Sequence, residues 1–370
     1  MINPKRKPWE VIKPWVSVFD PILLLTLMLI LCLSLVTMYS AAADFPGRFA
    51  GHVRNICIAL VVMWIAANFT PNLLMRSAVP VFIVGVLLLV AVALVGETSK
   101  GARRWLNLGV TRIQPSEILK IAMPLMLAWY FHKREGARHW YDFAIAAALL
   151  AVPAYLIARQ PDLGTAILVF ASGAYVIFFA GLNYKLIFAV FAVAAAAAPF
   201  GWTLMHDYQR QRILTMIDPT TDPLGKGFHI IQSTIAVGSG GVVGKGFMQG
   251  TQAHLEFIPE RTTDFIFAVF AEEFGLVANC VLLVLYLILI GRGLIISGNG
   301  ATTFMRLLAG AIAMIYFTYA FVNLGMVTGI LPVVGVPLPW MSYGGTAMVT
   351  LGLGTGILMA ISRHRKLVKT

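Results

Sequence analysis

Ten stretches of this 370-residue chain are apolar for long enough to cross a bilayer, and they constrain everything else about it. A spanning helix needs about 20 consecutive apolar residues. The runs lie at roughly 21–42, 53–69, 78–96, 116–132, 142–158, 164–181, 184–205, 264–291, 305–327 and 343–361. Lipid offers no partner to a backbone N–H or C=O, so each run has to close its hydrogen bonds internally as a helix. Composition agrees: 59% of residues are hydrophobic, only 12% are charged, and the mean hydropathy is +0.82. Soluble domains run nearer half apolar and a quarter charged. The expected fold is therefore an all-α polytopic membrane protein with about ten transmembrane helices. We read residues 1–370 as one integral membrane domain, with tails at 1–20 and 362–370 and one long extramembrane loop at 206–263. No small-residue cleavage site follows the first apolar run, so that run reads as a retained anchor.

Lys and Arg in the connections orient such a chain, because cytoplasmic loops carry the excess. Lys5, Arg6, Lys7 and Lys13 in one tail share a face with Arg363, Arg365, Lys366 and Lys369 in the other. With ten spans, Lys133, Arg134, Arg138, Arg292 and Arg306 fall on that face too, which makes it the cytoplasmic one. The opposite face still carries Lys100, Arg103, Arg104, Arg112, Arg159, Arg210, Arg212, Lys226, Lys245 and Arg261, and the whole chain has a net charge of +12. Cations there run against the topology rule, and a bound phosphate or pyrophosphate would favour them. The alternative is ordinary loop charge, since long loops translocate regardless. No basic block or aromatic platform points to nucleic acid; membrane lipids and an anionic lipid-linked substrate are the expected partners. Cys32, Cys57 and Cys280 sit inside apolar runs, where they read as small hydrophobes rather than disulfide or metal partners.

The densest ionisable cluster stands where the long loop enters the eighth run, with Glu256, Glu260, Arg261 and Asp264. Charge at a bilayer boundary is costly and marks a functional-site candidate. Asp264 is expected on the first helical turn, where a carboxylate either caps the helix or serves as a general base toward a hydroxyl. Glu272 and Glu273 lie about 12 Å further along; buried charges there need partners, and supporting a helix contact is the favoured reading. Glu117 and Lys120, at i and i+3, share a helix face and either pair locally or present Lys120 to a phosphate. Asp162, in the turn after Arg159, can cap the sixth run or meet a cation. Arg210, opening the long loop, has bidentate capacity for a phosphate. Residues Gly238–Gly246 form a Gly-rich run beside Lys245. It lacks a phosphate-loop spacing and reads as a re-entrant or surface-hugging turn. Pro332, Pro337 and Pro339 lead to Ser342–Gly345, a break in regular structure suited to lining a cavity. Histidines and acids are scattered, so metal ligation is not expected.

Several of these segments together resemble one family. They are Gln114–Lys120, Gln160–Thr165, Asp218–Gly225, Gln232 with Gly238–Gly241, Thr263–Ala268 and Pro337–Gly345. In this order, along nearly the whole chain, they are similar to the SEDS proteins of shape, elongation, division and sporulation. Gln249–Gln252 and Leu255–Arg261 look like the elongation branch rather than the division branch.

The resemblance implies a peptidoglycan glycosyltransferase of the bacterial inner membrane, with both termini cytoplasmic and its site on the periplasmic face. It would polymerise lipid II beside a class B penicillin-binding protein and other elongation-complex proteins. It also implies that Asp264 is the catalytic carboxylate, with Lys120, Glu117, Arg103, Arg104, Asp162, Arg210, Gln232 and Arg261 as substrate-binding residues. Undecaprenyl pyrophosphate would leave with inversion at the donor sugar. No cofactor is required on this reading, and a divalent cation, Mg or Mn, is left open. Two other classes suit the composition: a lipid II flippase, which calls for ionisable groups along a path through the bilayer, and a non-catalytic scaffold of the elongation complex, in which Asp264 would be replaceable.

Overall fold

The computed structural model describes residues 18–99, 102–107, 112–136, 139–160, 162–205, 207–221, 225–255, 257–258 and 260–364. All ten apolar stretches are helices. The first seven are α1 (Pro21–Ala41), α2 (Arg48–Ala67), α3 (Pro71–Val95), α4 (Pro115–Lys133), α5 (Trp140–Ala158), α6 (Leu163–Phe179) and α7 (Tyr184–Leu204). The long loop contributes α8 (Asp207–Ile217), α9 (Lys226–Ser239) and the single turn α10 (Thr251–His254). The last three are α11 (Ile266–Gly298), α12 (Thr303–Val327) and α13 (Gly345–Arg363). Among the described residues, seven helices are long and apolar enough to cross a membrane, while α6 is shorter at 17 residues.

Local chemistry sets where these helices begin. The side chains of Asp20, Thr70, Asp162, Asn183 and Thr302 accept from first-turn amides of α1, α3, α6, α7 and α12. Each satisfies a donor that the helix itself leaves open. Pro21, Pro71 and Pro115 open α1, α3 and α4, where a missing N–H costs nothing.

Burial ranks the helices from centre to rim. In α12, 78% of the apolar window is buried, against 28% in α3 and α5, so α12 lies at the centre of the bundle beside the equally buried α4, and the other two face lipid. It packs against α11, α6 and α4, and α13 packs against α2. Contact between α2 and α13 depends on Gly352 and Gly356. A Cβ on either would lie 2.3 Å from the Ala59 carbonyl or 2.4 Å from the Met63 carbonyl. Small residues four apart let two membrane helices meet backbone to backbone.

Three features depart from the reading of the sequence or extend it. The connection after α3 is not plain loop: β1 (Glu97–Ser99), β2 (Ala102–Asn107) and β3 (Arg112–Ile113) form a small antiparallel sheet in that order. Helix α11 starts at Ile266, two residues later than expected, and runs seven residues longer, to Gly298.

The third feature is the Gly-rich run, expected as a re-entrant or surface-hugging turn, which docks into a break in α11. Helix α11 breaks at Gly275 (φ 72°, ψ −170°), which strips its neighbours of helical partners. The run restores them. Lys245 N and Gly246 N donate to the Glu272 and Glu273 carbonyls at 3.0 Å, while Leu276 N and Val277 N donate to Gly241 and Val242 at 2.9 and 3.1 Å. Glycine is needed for this approach, since a Cβ on Gly240 would lie 2.1 Å from the Ala271 carbonyl. The adjacent glutamates are buried in the same splice. Glu272 Oε1 accepts from Lys245 Nζ (2.7 Å), Thr251 Oγ1 (3.1 Å) and Gln252 N (3.0 Å), and Glu273 accepts from Ser40 Oγ of α1.

Candidate functional site

A cavity of about 530 Å³ opens at one end of the bundle, where α4, α6, α11 and α13 all begin. Each helix start carries a partial positive charge and unpaired N–H groups. Arg104 from β2 and Lys120 from α4 line the same space, with Glu117, Asp162, Glu260 and Asp264. The segment Val333–Pro337 closes one wall, and Tyr343–Ala347 another.

Asp264 is half-buried in the turn that precedes α11. The N-cap of that helix is Phe265, so Asp264 is not the expected first-turn cap. It lines the cavity. Gly335 sits against it: a Cβ there would lie 3.3 Å from Asp264 Oδ2. Gly335 has φ +75°, a conformation that favours glycine, so backbone and space both specify that residue. Glu260, in the same turn, has φ 55° and accepts from Thr263 Oγ1 at 3.0 Å.

Lys120 lies about 7 Å below the start of α4 and is only 2% exposed. A lysine so placed needs compensation, and it has two partners at 2.6 Å, Glu117 Oε1 and the phenol oxygen of Tyr319 on α12. Asp162 collects two donors and a cation. Its Oδ1 accepts from Thr165 N at 3.2 Å, its Oδ2 accepts from Gln114 Nε2 at 3.0 Å, and Arg104 Nε stands 3.7 Å away. The two readings of Asp162, helix cap and cation partner, hold together.

Of the residues expected from the sequence, Asp264, Lys120, Glu117, Arg104 and Asp162 thus converge on one cavity. Others go elsewhere. Arg261 is buried behind the turn, where it donates to Ala41 O at 3.0 Å, to Ala253 O and to Asp44, and lies over the Phe45 ring at 5.0 Å. It ties the loop to the end of α1. Arg210 donates to the Trp202 and Thr203 carbonyls at 2.9 and 2.7 Å, closing the C-terminal end of α7. Gln232 is half-buried on α9; none of these three lines the cavity. The side chain of Arg103 lies outside the described residues; its backbone pairs with Thr98 in the sheet. Among the described residues no group of three or more His, Cys, Asp or Glu is placed to hold a metal ion.

Sequence reasoning missed Tyr319, Asn323 and Gly335. Tyr319 and Asn323 sit within an apolar run, where a tyrosine or asparagine has no local signature. Only the neighbours across the bundle give them a role.

Comparison with known proteins extends the picture. Residues 16–367 match the model of a cell cycle protein family named for FtsW, RodA and SpoVE. The peptidoglycan glycosyltransferase MrdB of Escherichia coli K12 is 49% identical over 368 residues, covering 99% of this chain and 98% of that protein. A solved chain from a peptidoglycan synthase complex, described as coordinating polymerisation and crosslinking, superposes with a TM-score of 0.82 at 33% identity; the match covers 95% of this chain and 99% of that one. The rod shape determining protein RodA of Thermus thermophilus superposes with a TM-score of 0.71 at 28% identity, covering 94% and 97%.

Proposed function

The chain belongs to the FtsW, RodA and SpoVE family, the SEDS proteins, and on that premise we propose how its cavity carries out glycan polymerisation. It is an integral membrane peptidoglycan glycosyltransferase of the elongation type. Its substrate is lipid II, and its partner is a class B penicillin-binding protein that crosslinks the strands. The chain lies in the bacterial inner membrane with both termini in the cytoplasm, and the cavity opens to the periplasm. That orientation rests on the basic tails and on the cavity lying at the end where α4, α6, α11 and α13 begin.

The observation that carries the mechanism is Asp264 in one cavity with Lys120 and Arg104, at the meeting of four helix starts. Asp264 takes the proton from the 4-hydroxyl of the acceptor sugar. The freed oxygen attacks the anomeric carbon of the lipid-linked donor from the face opposite the leaving group. A bond from O4 to C1 forms, the C1–O bond to phosphate breaks, and its electron pair leaves on undecaprenyl pyrophosphate. Attack from the opposite face converts an α-linked donor into a β-1,4 product. Negative charge grows on the pyrophosphate in the transition state, where fixed dipoles and cations act most strongly. Helix starts supply the dipoles. Lys120 and Arg104 supply the cations, each already oriented by a carboxylate partner, Glu117 and Asp162. One carboxylate serves as base, and the pyrophosphate leaves without the second acid that a glycosidase uses. Clustering of the cavity's charges at the mouth between four helix starts favours transfer over transport.

The test is polymerisation of labelled lipid II by the complex with its penicillin-binding partner, comparing wild type with Asp264→Asn. Loss of polymer from a variant that folds and binds its partner is the expected result. Full activity in the variant would remove Asp264 as base. Polymer from neither protein would return the transport reading.

A further inference from the structure

Asp264 lies in a turn, so no helical ladder holds it, and a base has to be held. One tether is on another helix. Asn323, buried on α12, donates through Nδ2 to the Asp264 carbonyl at 2.8 Å and to the Val336 carbonyl at 2.7 Å. Val336 adjoins Gly335, the residue that abuts the Asp264 carboxylate. One amide therefore clamps both banks of the cleft, the turn that carries the carboxylate and the segment that faces it. Both hydrogens of the amide are used, whereas its Oδ1 has no partner among the described residues. The position is occupied for its donors.

One turn earlier on α12, Tyr319 holds Lys120. Its phenol oxygen accepts from Lys120 Nζ at 2.6 Å. Residues four apart on a helix share a face and stand about 6 Å apart along its axis. Tyr316, at i−3 from Tyr319, anchors that face to α13 by donating to the Leu351 carbonyl at 2.9 Å. A deeply buried helix of the bundle thus presents, on one face, a tether of the carboxylate and a tether of the cation.

We propose that Asn323 and Tyr319 are positioning residues, and that α12 sets the separation between Asp264 and Lys120 across the cavity. The inference rests on Asp264 being the base. Neither residue touches substrate; each acts through the group it holds. Misplacing a reacting group by about 1 Å costs on the order of a hundredfold in rate, so the effect falls on turnover rather than on binding.

The experiment uses the complex with its penicillin-binding partner and labelled lipid II. Initial rates are measured against lipid II concentration and against pH for wild type, Asp264→Asn, Asn323→Ala, Asn323→Gln and Tyr319→Phe, with a thermal melt of each. The expected result is a fall in kcat of about tenfold to a hundredfold for Asn323→Ala. Its KM should stay within about twofold and the acidic limb of its pH profile should shift, because KM is untouched when only a transition-state interaction is lost. Asn323→Gln should recover part of the rate, and Tyr319→Phe should lower kcat with the acidic limb unmoved. A lower melting point with wild-type kcat and an unmoved pH profile would mean a purely structural role and overturn the proposal. If Asn323→Ala does not fold, Asn323→Gln and Tyr319→Phe decide, and wild-type kcat in both overturns it. Full activity in Asp264→Asn would strike the base assignment instead.

Discussion

Asp264 and Lys120 are both charged groups at the edge of an apolar core, and they are held in opposite ways. Lys120 sits inside a helix with its charge committed to Glu117 and Tyr319. Asp264 sits in a turn, half-buried, with a bare glycine backbone facing its carboxylate. The difference suits the roles proposed for them: a cation that stabilises charge gains from rigidity and low dielectric, while a base has to admit a sugar hydroxyl. Gly335 is where the second requirement can be tested. Alanine there adds a methyl 3.3 Å from Asp264 Oδ2 and costs about 1–2 kcal/mol for its left-handed backbone. Gly335→Ala should lower the polymerisation rate by about tenfold or more, a larger loss than its modest drop in melting temperature would explain. An unchanged rate would show that this wall is not seated on the base.

At the scale of elements, α11 is the unusual one. A helix that breaks inside a membrane exposes backbone groups that lipid cannot satisfy, and here another segment of the same chain fills the break. The long loop is therefore not an appendage; residues Gly241–Gly246 are part of the wall of α11. Lys245 holds the splice through Glu272. A hydrogen bond to a charged group contributes about 1.5 kcal/mol or more, roughly tenfold in an opening equilibrium. Lys245→Ala should speed hydrogen exchange at the Leu276 and Val277 amides by about that factor, with the amides of α12 unaffected. Equal exchange in both proteins would mean that the backbone bonds alone close the break.

Across the whole molecule, the cavity at one end is matched by a latch at the other. Asp20, before α1, receives both a 3.0 Å and a 2.7 Å bond from Arg292 of α11 and a 2.7 Å bond from Ser362 near the end of α13. The start of α13 lines the cavity, so the latch lies about 25 Å away down that helix. Burial pushes the Asp20 carboxyl up, but the bonds from Arg292, Ser362 and the Leu23 amide more than offset this and hold it below the ordinary carboxylate range. The sign of the linkage follows. With the folded value depressed, the stabilisation is complete above the unfolded value of about 3.9 and is lost as pH falls through the folded one. Purified protein should therefore melt at lower temperature as pH drops below about 4, and Asp20→Asn should melt lower at neutral pH with a flatter acid dependence. Parallel pH curves for the two proteins would remove Asp20 from the account.

Much of this protein is determined by its sequence alone, for a reason specific to membranes. A run of about 20 apolar residues has one backbone solution in lipid, so the ten helices could be placed from hydropathy, and caps such as Asp20, Thr70 and Asp162 mark their starts. Asp264, Glu117, Lys120, Arg104 and Asp162 stand out because charge beside an apolar run demands a partner. Which partner is not a local property. Arg210 and Arg261 carry the same side chain as Arg104, yet they close a helix end and tie down a loop, because a long flexible guanidinium goes to whichever acceptors the fold brings within reach. Asn323 and Tyr319 are silent in the sequence for the same reason: their meaning lies in residues 59 and 199 positions away. The helices follow from solvation, residue by residue. The cavity follows from packing, and packing is decided only when all the helices are present together.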